Sequence, residues 1–271
     1  MIAAASGATL QVRTVGQGLP LLFIPSHGRG VGDFDSLARL LARKGYMSIL
    51  PEPRGINGST GPAPTTLFDL AEDSAAVIGS LCKGPIGVVG HAFGNRVARA
   101  LATRHPELVT KVALLAGGGE VPIPPAIMAA LEGSLSQGRK PDNARLRDLQ
   151  LAFFAKGHNA RPWLQGWYPE TADRQMAAVR ATPARLWWTA GEVPLLLIQA
   201  AEDPIAPNGN AEALKRDVGA RLTLIVLKRA SHAMLPEQPG AITIALAGYF
   251  RRSPPSPRRL QQQVDRAIRR P

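Results

Sequence analysis

The sequence contains almost no cysteine and no long apolar segment. Cys82 is the only cysteine in 271 residues, which excludes a disulfide framework and a cysteine-based metal site. The longest apolar runs, such as residues 195–198 and 222–227, are far shorter than the roughly 20 residues of a membrane span. The N-terminus lacks a basic segment followed by a long apolar stretch, so we expect neither a secretory signal nor a membrane partner. These features favour a cytoplasmic protein.

The positive charge is unevenly distributed along the chain. The formal net charge is +12, and residues 251–271 contribute half of it through seven arginines and one acid. No aromatic residue interleaves with these arginines, so nucleic-acid bases would find no stacking platform. We therefore expect the Pro/Arg-rich segment 253–271 to be a solvated tail, and we expect no nucleic-acid partner.

Short β-rich runs alternate with helical stretches, which predicts an α/β fold with a mostly parallel, doubly wound sheet. The predicted strands are residues 9–15, 19–25, 46–50, 85–90, 112–116, 195–199 and 222–227. The predicted helices are residues 34–44, 66–81, 93–104, 211–216 and 239–250. Residues 121–190, hereafter the insertion, interrupt this alternation with several short helical pieces. The predicted organisation is a core of residues 1–120 and 191–252, the insertion, and the tail.

The turn between the strand at residues 85–90 and the next helix carries the most informative motif. Gly90-His91-Ala92-Phe93-Gly94 matches the G-x-S-x-G nucleophile elbow, with alanine where serine belongs. Glycines flank position 92 because bulky side chains would collide with neighbouring backbone at so sharp a turn. An ordinary glycine-containing turn between a strand and a helix is the alternative. We predict that position 92 is a nucleophile position.

Two residues downstream are typical partners of such a nucleophile. Asp203 follows the apolar strand at residues 195–199, and His232 follows the last predicted strand. A carboxylate at a strand end can accept the imidazole N–H and stabilise the imidazolium. The order of elbow, acid and histidine reproduces that of one known catalytic triad. Glu120, after the preceding strand, is an alternative candidate for the acid.

With these motifs the sequence resembles the α/β-hydrolase superfamily over about residues 1–250. The segment PSHGRG at residues 25–30 is similar to the oxyanion loop of that superfamily. Residues 53–59 are similar to its P-x-R-G-x-G-x-S loop, with Asn57 where glycine is usual. The resemblance implies an α/β-hydrolase fold in which the insertion forms a helical cap, or lid, over the site.

The resemblance also implies an oxyanion hole built from two backbone N–H groups. One belongs to Phe93, the residue after the nucleophile position. The other belongs to His27 if the loop has the family's usual length counted back from Phe34. If His27 and Gly28 are instead the familiar His-Gly pair, it belongs to Arg29.

Aromatic residues cluster in the insertion, where all four tryptophans fall within residues 163–188. These side chains can form the small core that a helical cap needs. They can also line an apolar pocket for a bulky substrate. We predict substrate contacts from Phe154, Trp163, Trp167 and Tyr168.

Alanine at position 92 cannot attack a carbonyl carbon. We predict a serine hydrolase of carboxylic esters or lactones that carry a bulky apolar or aromatic group. Its Ser-His-Asp triad would be present here as an inactive variant, with Ala92 in place of serine. The alternative is a natural, non-catalytic ligand-binding protein or receptor with the same fold. No metal or organic cofactor is implied, and the expected partner is a small ester or lactone bound by a monomer or a homodimer.

Overall fold

A seven-stranded sheet forms the centre of the protein in a computed structural model that describes residues 1–136 and 138–268. The strand order is β3-β5-β4-β6-β7-β8-β9, and only the β3–β5 pair is antiparallel. β1 and β2 form a separate antiparallel pair. The strands are β1 (Ile2–Ala3), β2 (Thr9–Leu10), β3 (Val12–Val15), β4 (Leu19–Ile24), β5 (Tyr46–Pro51), β6 (Ile86–His91), β7 (Val109–Leu115), β8 (Leu195–Ala200) and β9 (Leu222–Leu227).

Helices cover both faces of the large sheet, as the predicted doubly wound arrangement requires. They are α1 (Asp35–Ala42), α2 (Leu67–Leu81), α3 (Phe93–Arg104), α4 (Pro125–Ser134), α5 (Asp142–Phe153), α6 (Pro169–Ala181), α7 (Gly209–Val218), α8 (Met234–Glu237), α9 (Pro239–Tyr249) and α10 (Pro257–Ile268). Within the described ranges, no helix is long and apolar enough to cross a membrane.

Two hydrophobic cores, one on each face, hold the sheet between its helices. All residues of β6 and β8 are buried, as expected of parallel strands that are covered on both sides. Side chains of α2, α3 and α7 pack on one face, and those of α1, α9 and α10 pack on the other. The carboxyl ends of the parallel strands meet at one edge of the sheet, where ligands bind in open α/β folds.

The insertion lies between β7 and β8 and contains α4, α5 and α6. It has a small hydrophobic core of its own, which includes Phe153, Phe154, Trp163 and Trp167. Trp187 and Trp188 fall inside the predicted insertion but pack in the main core with α2 and α3. The aromatic cluster of the sequence is therefore divided between two separate cores.

The C-terminal segment differs from the prediction. Most of it forms α10, whose Leu260 and Val264 are buried against the sheet and α9. The expectation of a solvated tail is wrong for this helix, because leucine and valine one turn apart give it an apolar stripe that must be covered. Arg269, Arg270 and Pro271, which belong to the same prediction, lie outside the described residues.

Candidate active site

The turn at Ala92 joins the end of β6 directly to the start of α3. Ala92 has φ 50° and ψ −110°, a conformation with positive φ that residues other than glycine rarely adopt. A side chain at Gly90 would collide with the backbone of Gly94, and one at Gly94 would collide with the carbonyl group of Ile24. The two glycines therefore permit the sharp turn, and the turn places Ala92 at the carboxyl edge of the sheet.

Asp203 and His232 are brought together at this edge by the loops that follow β8 and β9. The Nδ1 atom of His232 lies 2.9 Å from Oδ2 of Asp203 and 3.1 Å from Oδ1. Both residues are buried. Because the carboxylate can only accept, Nδ1 carries the proton, and Nε2 is left as the basic ring nitrogen.

The Asp203 carboxylate is fixed by further hydrogen bonds. Its Oδ1 accepts the backbone N–H groups of Ile205 at 2.9 Å and Ala206 at 2.8 Å. Burial raises the pKa of the Asp203 carboxyl, but His232 and these N–H groups outweigh that effect and leave the pKa below its usual value. The carboxylate is therefore held in its charged form beside the imidazole.

Glu120, the alternative acid, forms no hydrogen bond or ion pair with His232. Its side chain is exposed, and its backbone N–H donates to Oδ1 of Asn210 at 2.9 Å. Asp203 alone is bonded to His232 among the carboxylates of the described residues.

Glu237 anchors the loop that carries His232. Its carboxylate accepts the backbone N–H of Ser231 at 2.6 Å and that of Ala155, in the insertion, at 2.7 Å. Burial raises the pKa of the Glu237 carboxyl. This role could not be predicted from sequence, because Glu237 belongs to none of the recognised motifs.

His91, inside the elbow, is hydrogen-bonded to the backbone of His232. It is fully buried, and its Nε2 donates to the backbone carbonyl of His232 at 2.9 Å. Burial, together with the nearby His232, lowers its pKa from 6.5 to about 4. His91 is therefore neutral at neutral pH and acts as a packing residue outside the cavity described below.

Two backbone N–H groups beside Ala92 have no acceptor in the part of the chain that the structure describes. They belong to Phe93, at the first position of α3, and to His27, in the loop after β4. The N–H of Arg29, the alternative, donates to the carbonyl of Ser26 at 3.2 Å. The residues Ala92, Phe93 and His27 all line one cavity, whereas Arg29 does not.

The loop that contains His27 is bonded to the insertion. Nε2 of His27 donates to the carbonyl of Ala172 at 2.8 Å, and the N–H of Gly28 donates to Oε1 of Gln175 at 2.8 Å. The N–H of Tyr168 returns a bond to the carbonyl of Gly28 at 2.9 Å. Burial lowers the pKa of His27, which keeps its ring neutral.

Arg29 forms a second link between this loop and the insertion. Its guanidinium stacks over Trp163 and Trp167, at 4.4 and 4.7 Å from their ring centroids. It also pairs with Asp33 at 2.6 Å and donates to the carbonyl of Gln165 at 2.8 Å. The planar guanidinium suits such a site because it can stack and donate hydrogen bonds at once.

A cavity of about 310 Å³ opens between Ala92 and the insertion. Its volume lies at the lower end of the range for small-molecule sites. Most of its lining is apolar. The lining residues are Ser26, His27, Ala92, Phe93, Asn95, Arg96, Ala116, Gly118, Gly119, Val121, Pro122, Ile123, Met128, Leu131, Leu135, Phe153, Trp167, Met176, Ile205, Ala206 and His232.

The predicted substrate contacts need correction, because only Trp167 of the four lines this cavity. Trp163 lies behind it, in edge contact with Phe154 and beneath Arg29. The hydroxyl of Tyr168 donates to Oδ1 of Asn57, away from the cavity. The sequence shows that aromatic residues cluster in the insertion. It cannot show which of these side chains pack in the core of the insertion and which line the cavity.

Several lining residues were not predicted from the sequence, among them Phe153, Asn95 and Arg96. Phe153 stands edge-on to the ring of His232, with 5.7 Å between centroids. Asn95 and Arg96 lie in the first turn of α3, close to Ala92 in sequence. Their spacing from Ala92 on a helix was the available signal for a place on the cavity wall.

Comparisons with known proteins agree with this fold. A sequence profile of the group described as "Alpha/beta hydrolase family" matches residues 21–246. The human protein ABHD8 is 23% identical over 258 residues, which cover 90% of this chain and 58% of that protein. A 2-hydroxymuconate semialdehyde hydrolase from Pseudomonas sp. is 31% identical over 160 residues, 57% of this chain and 54% of the relative.

Solved structures show the same architecture. The esterase EaEST from Exiguobacterium antarcticum superposes with a TM-score of 0.77 at 22% identity, covering 92% of this chain and 98% of that one. The enol-lactonase from Burkholderia xenovorans superposes with a TM-score of 0.72 at 19% identity, covering 90% and 97%. The profile match over most of the chain, together with this common fold, makes the chain a member of the alpha/beta hydrolase family.

Proposed function

We propose that this site is the acyl-transfer site of a carboxylic ester or lactone hydrolase whose nucleophile position is occupied by Ala92. The observation that carries the proposal is the hydrogen-bonded pair of Asp203 and His232 on the wall of the cavity that contains Ala92. Similarity to structures named as an esterase and an enol-lactonase supports this reaction class.

The chemistry follows from the roles that each group can take. A serine at position 92 would attack the ester carbonyl while its proton passes to Nε2 of His232. The N–H groups of Phe93 and His27 would stabilise the oxyanion of the tetrahedral intermediate. His232 would then protonate the leaving alcohol, and a water molecule activated by His232 would release the acid. Asp203 would orient the imidazole and stabilise its charged form.

The methyl group of Ala92 can carry out none of the covalent steps. Loss of a triad nucleophile costs on the order of 10⁶ in turnover. The pocket and the oxyanion donors do not depend on the missing hydroxyl. The chain as it stands should therefore bind an ester or lactone and release it unchanged.

Ala92 itself favours a second candidate, a non-catalytic ligand-binding protein or receptor. Both candidates share the cavity, the insertion as a cap, and Trp167 and Phe153 as contacts to an apolar group. They differ in whether the remaining groups can still support turnover when the hydroxyl is supplied.

The deciding experiment is hydrolysis of a panel of p-nitrophenyl esters and aliphatic lactones by the Ala92→Ser variant. The parent protein and an Ala92→Ser/His232→Ala double variant are the controls. Activity in the single variant alone, with at least about a 10³-fold gain over the double variant, is the result expected of a triad. A folded Ala92→Ser protein without activity on any member of the panel would reject the hydrolase proposal in favour of the binding protein.

A further inference from the structure

Arg96 places an unpaired positive charge on the wall of the cavity. It lies one helical turn after Ala92, on the same side of α3, and lines the cavity. Within residues 1–136 and 138–268, no acceptor or carboxylate is bonded to its guanidinium. The ring centroid of Trp187 lies 5.7 Å from its Cζ.

The arginines that are fully buried in the described ranges all have hydrogen-bond partners. Arg54 forms two hydrogen bonds with the carboxylate of Asp73, and Arg29 pairs with Asp33. The two remaining ones bond to backbone or side-chain oxygens: Arg99 to the carbonyl of Gly118, and Arg145 to the carbonyl of Leu164. Buried charges are normally paired in this way, since an unpaired one is costly. Arg96 is half-buried and has no such partner in the described ranges, and it lies on the wall of the ligand cavity.

The surroundings of Arg96 reinforce this positive character. Among the described residues that line the cavity there is no aspartate or glutamate, and Arg96 is the only one of them that is permanently charged. The charge of Arg96 also contributes to the lowered pKa of His27. The N-terminus of α3 adds a partial positive charge in the same region.

We propose that the ligand of this cavity carries a free carboxylate, which pairs with Arg96, in addition to its ester or lactone group. This inference rests on the proposed function and specifies its substrate class. A guanidinium binds a carboxylate through two parallel N–H···O bonds. One cation neutralises one carboxylate, whereas the dianion of a phosphate group would leave a charge uncompensated in an apolar cavity. The expected ligand is therefore an apolar body that carries one ester or lactone and one carboxylate.

The parent protein allows this preference to be measured as affinity, because Ala92 cannot cleave the ligand. The probes are monobenzyl glutarate and the ester in which its free carboxyl group is a primary amide. The two have almost the same shape and differ in charge. Isothermal titration calorimetry at pH 7 should show the acid binding at least about 10-fold more tightly than the amide, in keeping with the strength of a charge-assisted pair.

Variants of Arg96 assign the preference to that residue. Arg96→Gln should weaken binding of the acid much more than binding of the amide, so that the two bind with about equal affinity. Arg96→Lys keeps the charge but not the planar fork, so it should retain part of the preference. Arg104→Gln, at an exposed arginine of the same helix, is the matched control and should bind like the parent. Urea unfolding of each variant checks that the fold is retained.

The two proposals fail in different ways. Equal affinity for acid and amide, unchanged by Arg96→Gln, would overturn the carboxylate inference. If the Ala92→Ser variant also hydrolyses both esters with equal kcat/KM, the hydrolase proposal stands and the inference about Arg96 alone is lost. If neither ester is bound by the parent or cleaved by Ala92→Ser, both are rejected for this substrate class.

Discussion

The buried position of His91 predicts a specific loss of stability in mild acid. In the folded protein its pKa is about 4, compared with an ordinary value of 6.5. Between these two values the unfolded chain binds a proton that the folded protein excludes. The stabilisation is therefore complete above pH 6.5 and is lost as the pH falls towards 4.

The size of the effect follows from the same two values. A difference from 6.5 to about 4 means that the pKa shift of His91 can contribute at most about 3 kcal/mol to the free energy of unfolding. Between pH 7 and pH 5, this linkage gives a loss of about 2 kcal/mol. Such a change is a large part of the stability of an ordinary domain.

Urea unfolding at pH 7 and pH 5, followed by tryptophan fluorescence, measures this loss. The His91→Gln variant keeps an N–H for the carbonyl of His232 but does not titrate. Its pH-dependent loss should be smaller than that of the parent by about 2 kcal/mol. An equal loss in His91→Gln and the parent would refute the assignment to His91.

Two further variants test the scaffold of the site. Gly94→Ala should destabilise the protein by about 3 kcal/mol or more, because the new methyl group meets backbone that cannot move aside; an unchanged urea midpoint would contradict the steric argument. Arg29→Lys should lower the free energy of unfolding by about 1–2 kcal/mol. An ammonium group cannot stack on Trp163 and Trp167 and also form the two parallel hydrogen bonds that the guanidinium makes to Asp33. Parent-like stability with a parent-like rate of proteolysis in the insertion would show that this stacking does not hold the insertion in place.

The sequence was sufficient to predict most of the sheet. β4, β6 and β8 consist almost entirely of apolar residues. Such runs are typical of parallel strands, because these strands are buried on both faces of the sheet. The pairing of β1 with β2 was not foreseen, since two residues are too few to show a period. The order of strands at the β3 edge depends on contacts between distant segments, which no local pattern contains.

The parts of the site that could be predicted are those in which a local turn requires particular residue types. The elbow needs small residues at Gly90 and Gly94, so its position can be located from sequence. Asp203 and His232 each lie in a loop directly after a predicted parallel strand. Because parallel strands end at the same edge of the sheet, the sequence could predict that these two residues meet. Arg96 was missed for a different reason. Arg96 draws attention because no carboxylate or other acceptor of the described residues binds its guanidinium. Which partners a side chain has depends on the tertiary structure and cannot be read from the sequence.

The bonds between the insertion and the core also bear on the rates at which a ligand enters and leaves. α6 is bonded to the loop of His27 and Gly28, and the end of α5 is bonded to the loop of His232. A rigid tilt of the whole insertion would break both sets of bonds at once. α4 contributes Met128 to the cavity wall, and this side chain is 38% exposed to solvent. Met128 thus connects the cavity wall to solvent, and we expect residues on α4 to affect association and dissociation rates more than equilibrium affinity.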